Sequence, residues 1–384
     1  MHPGYTVHFN HSRKVWKHVR VLREKGDYSG DEWHWSELLW QLDGQMLEMK
    51  QKQNTDFITS IMPLFETISV DENHIRDLVD KHYGLKLGTL LKSSQNNTYL
   101  ATKSEDGTET KFIVRATPDP KNERLPAIQL EIALLNDLYS QGLTVCPPIK
   151  NHASQYHVVS DTPTGPLIVV VFQHALGSPV DFLSWRWLHE KKFAVSLGRW
   201  MAKFHQLSRQ FCQKNPQLLK DARPWTALHD GVLKEVPVTE EDQKLSQSPQ
   251  SYGLIHGDVN VSNFFFDEDT DTVHMFDWDQ LQTCWYGYDL SAPIWTSVAC
   301  KEGGNPLDST QAVPNCDPQV YTDWFLEGYE ENGEKMDREH LKRMIGLRRQ
   351  LYKRFSARAM IELPEDHPMA AFCRHMDSWL GKEE

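Results

Sequence analysis

The chain has 384 residues, 39% hydrophobic and 24% charged, with 13 Trp, a length and balance that exclude a single small module and describe an ordinary globular chain with a sizeable core. Its 41 basic and 53 acidic residues give a net charge of −12, which repels phosphate backbones and anionic lipid, so no nucleic acid and no membrane is expected as partner, and cationic ligands are favoured at long range. The longest apolar stretch, Pro166 to Phe172, is far short of the roughly 20 residues that cross a bilayer, the N-terminus is too polar for a signal peptide, and the six scattered cysteines form no CxxC pair, so a cytoplasmic chain without disulfide framework or zinc ribbon is expected.

Residues 1–84 read as a helical, polar extension. "RKVWKHVRVLREKG" is basic, and "DEWHWSELLWQLDGQMLEMKQKQ" carries apolar residues at helical spacing behind an acidic start. Oligomerisation or partner binding through these helices, and docking on the chain's own body, both fit. From about Leu85 the pattern turns to strands. "NTYLATKS" and "TKFIVRAT" flank a turn at "EDGTE", with Asp106-Gly107 supplying the turn residues. Arg115 shares a face with Ile113 in the second strand, which puts a permanent cation beside an apolar neighbour.

The helix in "PAIQLEIALLNDLYSQG" begins after Pro126 and stops at Gly142, with an apolar stripe through Ile128, Leu134, Leu135 and Leu138. Glu131 falls on that stripe. An inward carboxylate is costly unless a cation meets it, and Arg115 is the candidate. The apolar run "LIVVVFQHALGSPVD" suits a buried strand that breaks at Gly177 and Pro179, where a joint between lobes is expected. Beyond it the pattern is mainly helical. "EKKFAVSLGRWMAKFHQLSRQ" puts Phe193, Leu197, Met201 and Phe204 on one face, and "HLKRMIGLRRQLYKRFSARAMIEL" forms a long late helix.

Between those helices lies the most chemically loaded string, "HGDVNVSN", from His256 to Asn263. "YGLI" leads into it as a strand, and "NFFF" and "TVHMF" follow as two strands turning at "DEDTD", with Asp277 ending the second. Asp258, Asn263 and Asp277 therefore lie at the entrance, exit and far end of one hairpin unit. Such convergence suits phosphoryl transfer, which rests on orienting a hydroxyl and neutralising phosphate charge with Mg2+. Hard Mg2+ takes a few carboxylate or amide oxygens plus phosphate oxygens, which Asn263 and Asp277 can supply. Asp258 remains for the acceptor hydroxyl as base or orienting group. His256 reads as a structural hydrogen-bonding residue. The acidic turn Asp267, Asp269, Asp271 fails as a calcium loop, because its sixth position is Thr272 and its twelfth Trp278. No GxxxxGK[ST] loop and no GxSxG elbow occurs.

These residues resemble the aminoglycoside phosphotransferase and choline kinase-like family, over about Leu85 to Phe355. The resemblance rests on "LIHGDVNVSNFFF" and "HMFDWDQ", in order and with 14 residues from Asn263 to Asp277. "FIVRA", "LEIALLNDLYSQG", "VVVFQHALGSP", "SLGRWMAKFHQLS" and "YGYDLS" support it. It implies an α+β, two-lobed protein kinase-like fold, with a β-rich N-lobe over residues 85–176 and a mainly helical C-lobe over 177–384. It also implies ATP and Mg2+ as cofactors, Asp258 as catalytic Asp, Asn263 and Asp277 as metal ligands, and Arg115 with Glu131 as the strand cation and its ion-pair partner. Adenine is implied at Phe172, Gln173, His174 and Ala175, and Asp289 of "YGYDLS" as a structural Asp of the lower lobe. Two departures stand out. Asn260 occupies the place where the family often has His, two residues after the catalytic Asp, and so joins the substrate candidates. The segment expected to cover the phosphates, "KSSQNNTYL", has no Gly, so Ser93, Ser94 and Asn96 are the small polar residues left to offer N–H groups to phosphate.

The function expected is an ATP- and Mg2+-dependent kinase acting on a hydroxyl of a small metabolite. Chain acidity favours a cationic acceptor such as an amino alcohol, amino sugar or hydroxy amino acid. Trp285 and Tyr288, in "TCWYGYDL", offer aromatic faces to an ammonium group, or else pack between helices. A protein Ser/Thr kinase and a non-catalytic, pseudokinase-type binding protein are the alternatives; the presence of Asp258, Asn263 and Asp277 together argues against the second.

Overall fold

The computed structural model describes residues 70–93, 95–225, 247–305, 315–363 and 368–380. Most of the expected N-terminal extension, the association expected of it, and Ser94 lie outside the described residues. The part of the extension that is described is helix α1, Glu72–Tyr83. Asp71 caps its start by accepting from the Asn73 N–H at 2.9 Å, and Gly84 ends it in the left-handed region at φ 63°. Ile75, Val79 and Tyr83, one helical stripe, are buried against the first sheet.

That sheet has five antiparallel strands in the order β1-β2-β3-β5-β4. They are β1 Lys86–Ser93, β2 Asn97–Glu105, β3 Thr108–Pro118, β4 His157–Thr162 and β5 Gly165–Gln173. The β2–β3 hairpin turns at Asp106 and Gly107, both with positive φ (50° and 79°), the conformation that a two-residue hairpin loop needs. Strand β1 is bulged twice against β2, between Leu87 and Leu90 and between Leu90 and Lys92, which re-aims its last residues. Helix α2, Leu125–Ser140, has Pro126 in its first turn and buries Ile128, Leu134, Leu135 and Leu138, with Glu131 buried among them.

After β5 the chain crosses to a second sheet, where β6, Ser178–Pro179, pairs with β9, Phe264–Asp267, which pairs in turn with β10, Thr272–Met275. Gly177 makes the crossing at φ 85°, where a Cβ would lie 2.5 Å from the Phe266 carbonyl oxygen, so only glycine fits. A third small sheet joins β7, Arg223–Pro224, β8, Tyr252–Ile255, and β11, Gln282–Trp285. The rest is helical: α3 Arg186–His189, α4 Lys191–Lys214, α5 Tyr286–Gly303, α6 Pro318–Glu330, α7 Arg338–Glu362 and α8 Pro368–Leu380. The fold is therefore α+β, with an antiparallel sheet and helices α1 and α2 above and a mainly helical part below.

One apolar cluster runs through both parts, from Leu134 and Leu138 of α2 and Val170 of β5 to Leu197 and Met201 of α4 and Met275 of β10. The connection after α2 fastens them: the Trp200 indole N–H donates to the Thr144 carbonyl at 3.1 Å, and the Met275 N–H to the same oxygen at 3.2 Å. No helix among the described residues is long and apolar enough to cross a membrane.

Candidate active site

The loop after β8 is pinned before its functional side chains begin. Asp289, buried in the first turn of α5, accepts from the backbone N–H of His256 at 3.0 Å and of Gly257 at 2.9 Å. Its carboxylate also accepts from His205 Nε2 at 3.2 Å, while His205 Nδ1 accepts from the Tyr329 hydroxyl at 3.0 Å. That pattern sets the neutral tautomer of His205 with the proton on Nε2. Burial lowers the proton affinity of His205. Burial pushes Asp289 the other way, but the bonds from His205 and the loop N–H groups outweigh it and hold the carboxyl below the usual range. His256 bridges the loop to the end of β10, with Nε2 3.0 Å from the Phe276 carbonyl and Nδ1 accepting from the Asp258 N–H at 3.3 Å.

Asp258 is half-buried and held by two amides. Asn263 Nδ2 donates to its Oδ2 and to its backbone carbonyl, both at 2.9 Å. Asn260 Nδ2 donates to its Oδ1 at 3.0 Å, while Asn260 Oδ1 accepts from the Ser262 N–H at 2.9 Å and so caps a short 3-10 turn, Val261–Asn263. Asn260 thus lies beside Asp258 and is engaged in orienting it.

The amide oxygen of Asn263 is left with one long contact, 3.4 Å from Ser262 Oγ. Across the β9–β10 ladder, Phe264 faces Met275, and the Phe276 N–H bonds the Asn263 carbonyl at 2.9 Å, so Asn263 and Asp277 stand at the same end of the hairpin. Strand β10 stops at Met275, two residues before the end expected from sequence, because Asp277 turns into the left-handed region at φ 63°. For a residue other than Gly, Asn or Asp that conformation is costly. Asn263 Oδ1 and the carboxylate of Asp277 form a hard oxygen donor set of the kind Mg2+ takes when phosphate oxygens and water complete its shell. Among the described residues, no three His, Cys, Asp or Glu side chains form a ready metal cage.

The sheet contributes the cations. Arg115 on β3 meets Glu131 on α2 in a two-pronged pair of 2.9 and 2.6 Å, with both side chains buried, and a further N–H reaches Asp279 Oδ1 at 3.0 Å. Arg115 Nε is buried with no partner. Burial weakens the hold of Arg115 on its proton, but Glu131 and Asp279 more than restore it. Lys92, at the end of β1, puts Nζ 2.9 Å from Asp277 Oδ2. Burial favours the neutral amine there, yet Asp277, Asp279 and Asp258 together raise its pKa. Burial likewise pushes Asp277 up, but Lys92, His256 and Arg115 outweigh it and hold the carboxyl low; at Asp279 burial and the charge on Asp277 prevail and push it up.

Of the expected phosphate-covering residues, Ser93 donates to Asn97 Oδ1 at 2.7 Å. Asn96 is buried, its amide donating to Asp279 at 2.5 Å and accepting from Thr117 at 2.8 Å. Its side chain braces Asp279 instead of facing open space. Phe172 lies under the Arg115 guanidinium, 5.1 Å from ring centroid to Cζ. Gln173 closes β5 with its N–H on the Pro147 carbonyl at 3.0 Å, and His174 follows with Nδ1 2.8 Å from the Ala175 carbonyl.

Of the two roles open to Trp285 and Tyr288, the structure shows packing. Trp285 is 0% exposed, against Trp225 at 4.8 Å and Tyr252 at 5.6 Å between ring centroids. Tyr288 is 4% exposed, and one face is covered by Arg348 at 4.2 Å. The boundary between β11 and α5 falls inside "TCWYGYDL", which turns these rings inward. Sequence reasoning passed over Lys92 and Asp279, although both stood in strings it singled out. Lys92 is the first residue and sole cation of "KSSQNNTYL", and Asp279 is the second acid of "FDWDQ".

The sequence pattern of the phosphotransferase enzyme family matches residues 88–324, well over half the chain. An amicoumacin kinase of Bacillus subtilis (strain 168) is 25% identical over 224 residues, a match spanning 53% of this chain and 61% of that protein. The chain thus matches about three-fifths of the length of that relative. Solved structures that share the fold include two kinases. One is an amicoumacin kinase in complex with AMP-PNP and Ca2+, with a TM-score of 0.63 and 19% identity, covering 82% of this chain and 94% of that one. The other is a microcompartment-associated aminopropanol kinase, with a TM-score of 0.56 and 19% identity, covering 81% and 97%.

Proposed function

This chain belongs to the phosphotransferase enzyme family, and on that footing we propose that it is an ATP- and Mg2+-dependent kinase that phosphorylates a hydroxyl of a small, amine-bearing metabolite: an amino alcohol, amino sugar or hydroxy amino acid. The observation that carries the reading is the placement of Asn263: its amide nitrogen grips Asp258 at 2.9 Å, and its backbone carbonyl accepts from the N–H of Phe276, the residue before Asp277, at 2.9 Å. One residue thus ties the acceptor-binding carboxylate to the metal-binding end of the hairpin.

Bound Mg2+ would neutralise charge on the transferred phosphoryl group, with Asn263 and Asp277 as its ligands. Asp258 orients the acceptor hydroxyl and takes its proton as the oxygen attacks. Asn260 and Asn263, donating to opposite carboxylate oxygens of Asp258, hold it in one rotamer and spare the cost of reorganisation. Arg115, braced by Glu131, keeps its free Nε–H for a phosphate oxygen. Asp289 and His256 support the loop from beneath. The similar curated protein is by name a small-molecule kinase, which supports the reading. A cytoplasmic setting, where ATP is supplied, goes with it.

The amine in the acceptor rests on the acidity of the chain, net −12, and on the Asp258 carboxylate placed to meet the acceptor. The test is ATP consumption by the purified chain with Mg2+ and a panel of amino alcohols, amino sugars, hydroxy amino acids and neutral sugars. One amine-bearing acceptor is expected to drive turnover, and Asp258→Ala to abolish it at an unchanged melting temperature. Phosphorylation of neutral sugars alone would overturn the acceptor class. Nucleotide binding with no acceptor phosphorylated would return the chain to the binding-protein reading.

A further inference from the structure

Lys92 stands inside the acidic site. Its Nζ is 2.9 Å from Asp277 Oδ2, Asp279 and Asp258 contribute to its surroundings, and its side chain remains 34% exposed. The two bulges that interrupt β1, the second ending at Lys92 itself, turn it there. It holds Oδ2, one of the two oxygens that Asp277 has to offer a metal.

The other cations nearby are committed. Arg115 gives three bonds to Glu131 and Asp279, so two carboxylates already offset its charge. Arg124 donates to the carbonyls of Gln95 and Pro118. Lys92 has one bond, a flexible four-carbon stem and a compact ammonium that can change partner. A metal ion on Asp277 and the Lys92 ammonium repel each other across one carboxylate, whereas a triphosphate brings several new anionic oxygens within reach of that stem.

We infer that Lys92 is an exchangeable counter-cation of the nucleotide site: it neutralises Asp277 while the site is empty and moves to the phosphate chain when metal and nucleotide enter. The inference rests on the proposed kinase reading and adds a phosphate-binding side chain to it. Lys92 then acts in opposite senses on two ligands. It competes with metal alone and assists metal with nucleotide. A lysine that only props the loop against Asp277 would not separate the two.

The test measures binding, not turnover, on the full chain and on Lys92→Met and Lys92→Arg, with melting temperatures as the check of folding. Free Mn2+ is followed by its paramagnetic signal, and AMP-PNP with Mn2+ by calorimetry. Lys92→Met is expected to bind Mn2+ alone several-fold more tightly. It should bind AMP-PNP with Mn2+ about 10-fold or more weakly, the range for losing a hydrogen bond to a charged group. Lys92→Arg is expected to keep most of the nucleotide affinity. Equal affinities for both ligands in wild type and Lys92→Met, or shifts in the same direction, would overturn the inference and leave the kinase reading standing. Absence of nucleotide binding by the wild-type chain would overturn both.

Discussion

Arg115 and Glu131 meet through two parallel bonds, 2.9 and 2.6 Å, with both side chains buried, and this one pair ties strand β3 to helix α2 across the sheet. Its two halves are not equivalent. Arg115 also serves Asp279, whereas Arg115 is the partner that meets both oxygens of Glu131.

Removing the cation therefore strands Glu131 and leaves Asp279 with the Asn96 amide alone as hydrogen-bond donor, whereas removing Glu131 strands no carboxylate. Arg115→Met is expected to cost about 3–5 kcal/mol of stability, the range for breaking a buried pair from one side. Glu131→Gln should cost less, because Asp279 still offsets Arg115. Urea unfolding of the two variants checks the order. The Arg115→Met loss should shrink as pH is lowered through the carboxylate range, since protonation removes the stranded charges; equal losses at all pH values would contradict the account.

Asn260 holds Asp258 from the side opposite Asn263 and caps the turn that carries Asn263. Asn260→Ser keeps a capping oxygen but loses the donor to Asp258. Its melting temperature should stay near that of the parent, while kcat falls about 10- to 100-fold, equivalent to one hydrogen bond to a charged group. The KM for ATP should hardly move. A drop in melting temperature with kcat preserved would reduce Asn260 to a cap.

Acid should weaken the fold through His205. The residue is buried and neutral, faced by Asp289, Tyr329, Tyr286, Arg209 and Glu334. Its proton affinity is lower in the folded chain, so the unfolded chain takes up the proton first, near the ordinary histidine pKa of about 6.5. Stability contributed by the neutral ring is thus complete above that value and declines as pH falls towards the lower pKa of the folded state. Asp289, also lowered, loses its contribution only below the usual carboxylate range. His205→Gln keeps a donor for Asp289 and removes the titration. It should flatten the slope of unfolding free energy between neutral pH and mild acid, and an unchanged slope would assign the pH dependence elsewhere.

The parts of this molecule that were legible in the sequence are those fixed by neighbours in the chain. Asp106-Gly107 marks a hairpin because its turn needs two positive φ values. Glu131 announces an ion pair because it interrupts an apolar stripe. The Asp258 to Asp277 unit is readable because a four-residue turn joins its strands. What was hidden depends on distant approach or on broken alternation. Lys92 reaches Asp277 from 185 positions away, on a strand whose two bulges erase the period of two. Asp279 turns towards Asn96 and Arg115 after the left-handed kink at Asp277, which no alternation rule anticipates. For Trp285 and Tyr288 the sequence left ammonium binding and packing both open, because a two-residue strand partner such as β7 leaves no recognisable pattern that decides between them.

The support under the Asp258 loop depends on two glycines. A Cβ on Gly198 of α4 would lie 2.0 Å from the Phe325 carbonyl oxygen of α6, and a Cβ on Gly328 of α6 would lie 2.0 Å from the Val195 carbonyl oxygen of α4. Each helix leaves room for the backbone of the other, and backbone cannot swing aside as a side-chain end can. Gly198→Ala and Gly328→Ala should each cost about 1–3 kcal/mol or more by overpacking, despite the better helix propensity of alanine. Because the sites share one interface, the double variant should cost less than the sum. Gly346, on α7 with nothing within 4 Å of its would-be Cβ, is the control. Alanine there should be neutral or stabilise by up to about 1 kcal/mol, since only propensity acts. Helix α4 also carries His205, which bonds Asp289 beneath Gly257. Separating α4 from α6 should therefore lower kcat along with the melting temperature, and Gly346→Ala should do neither.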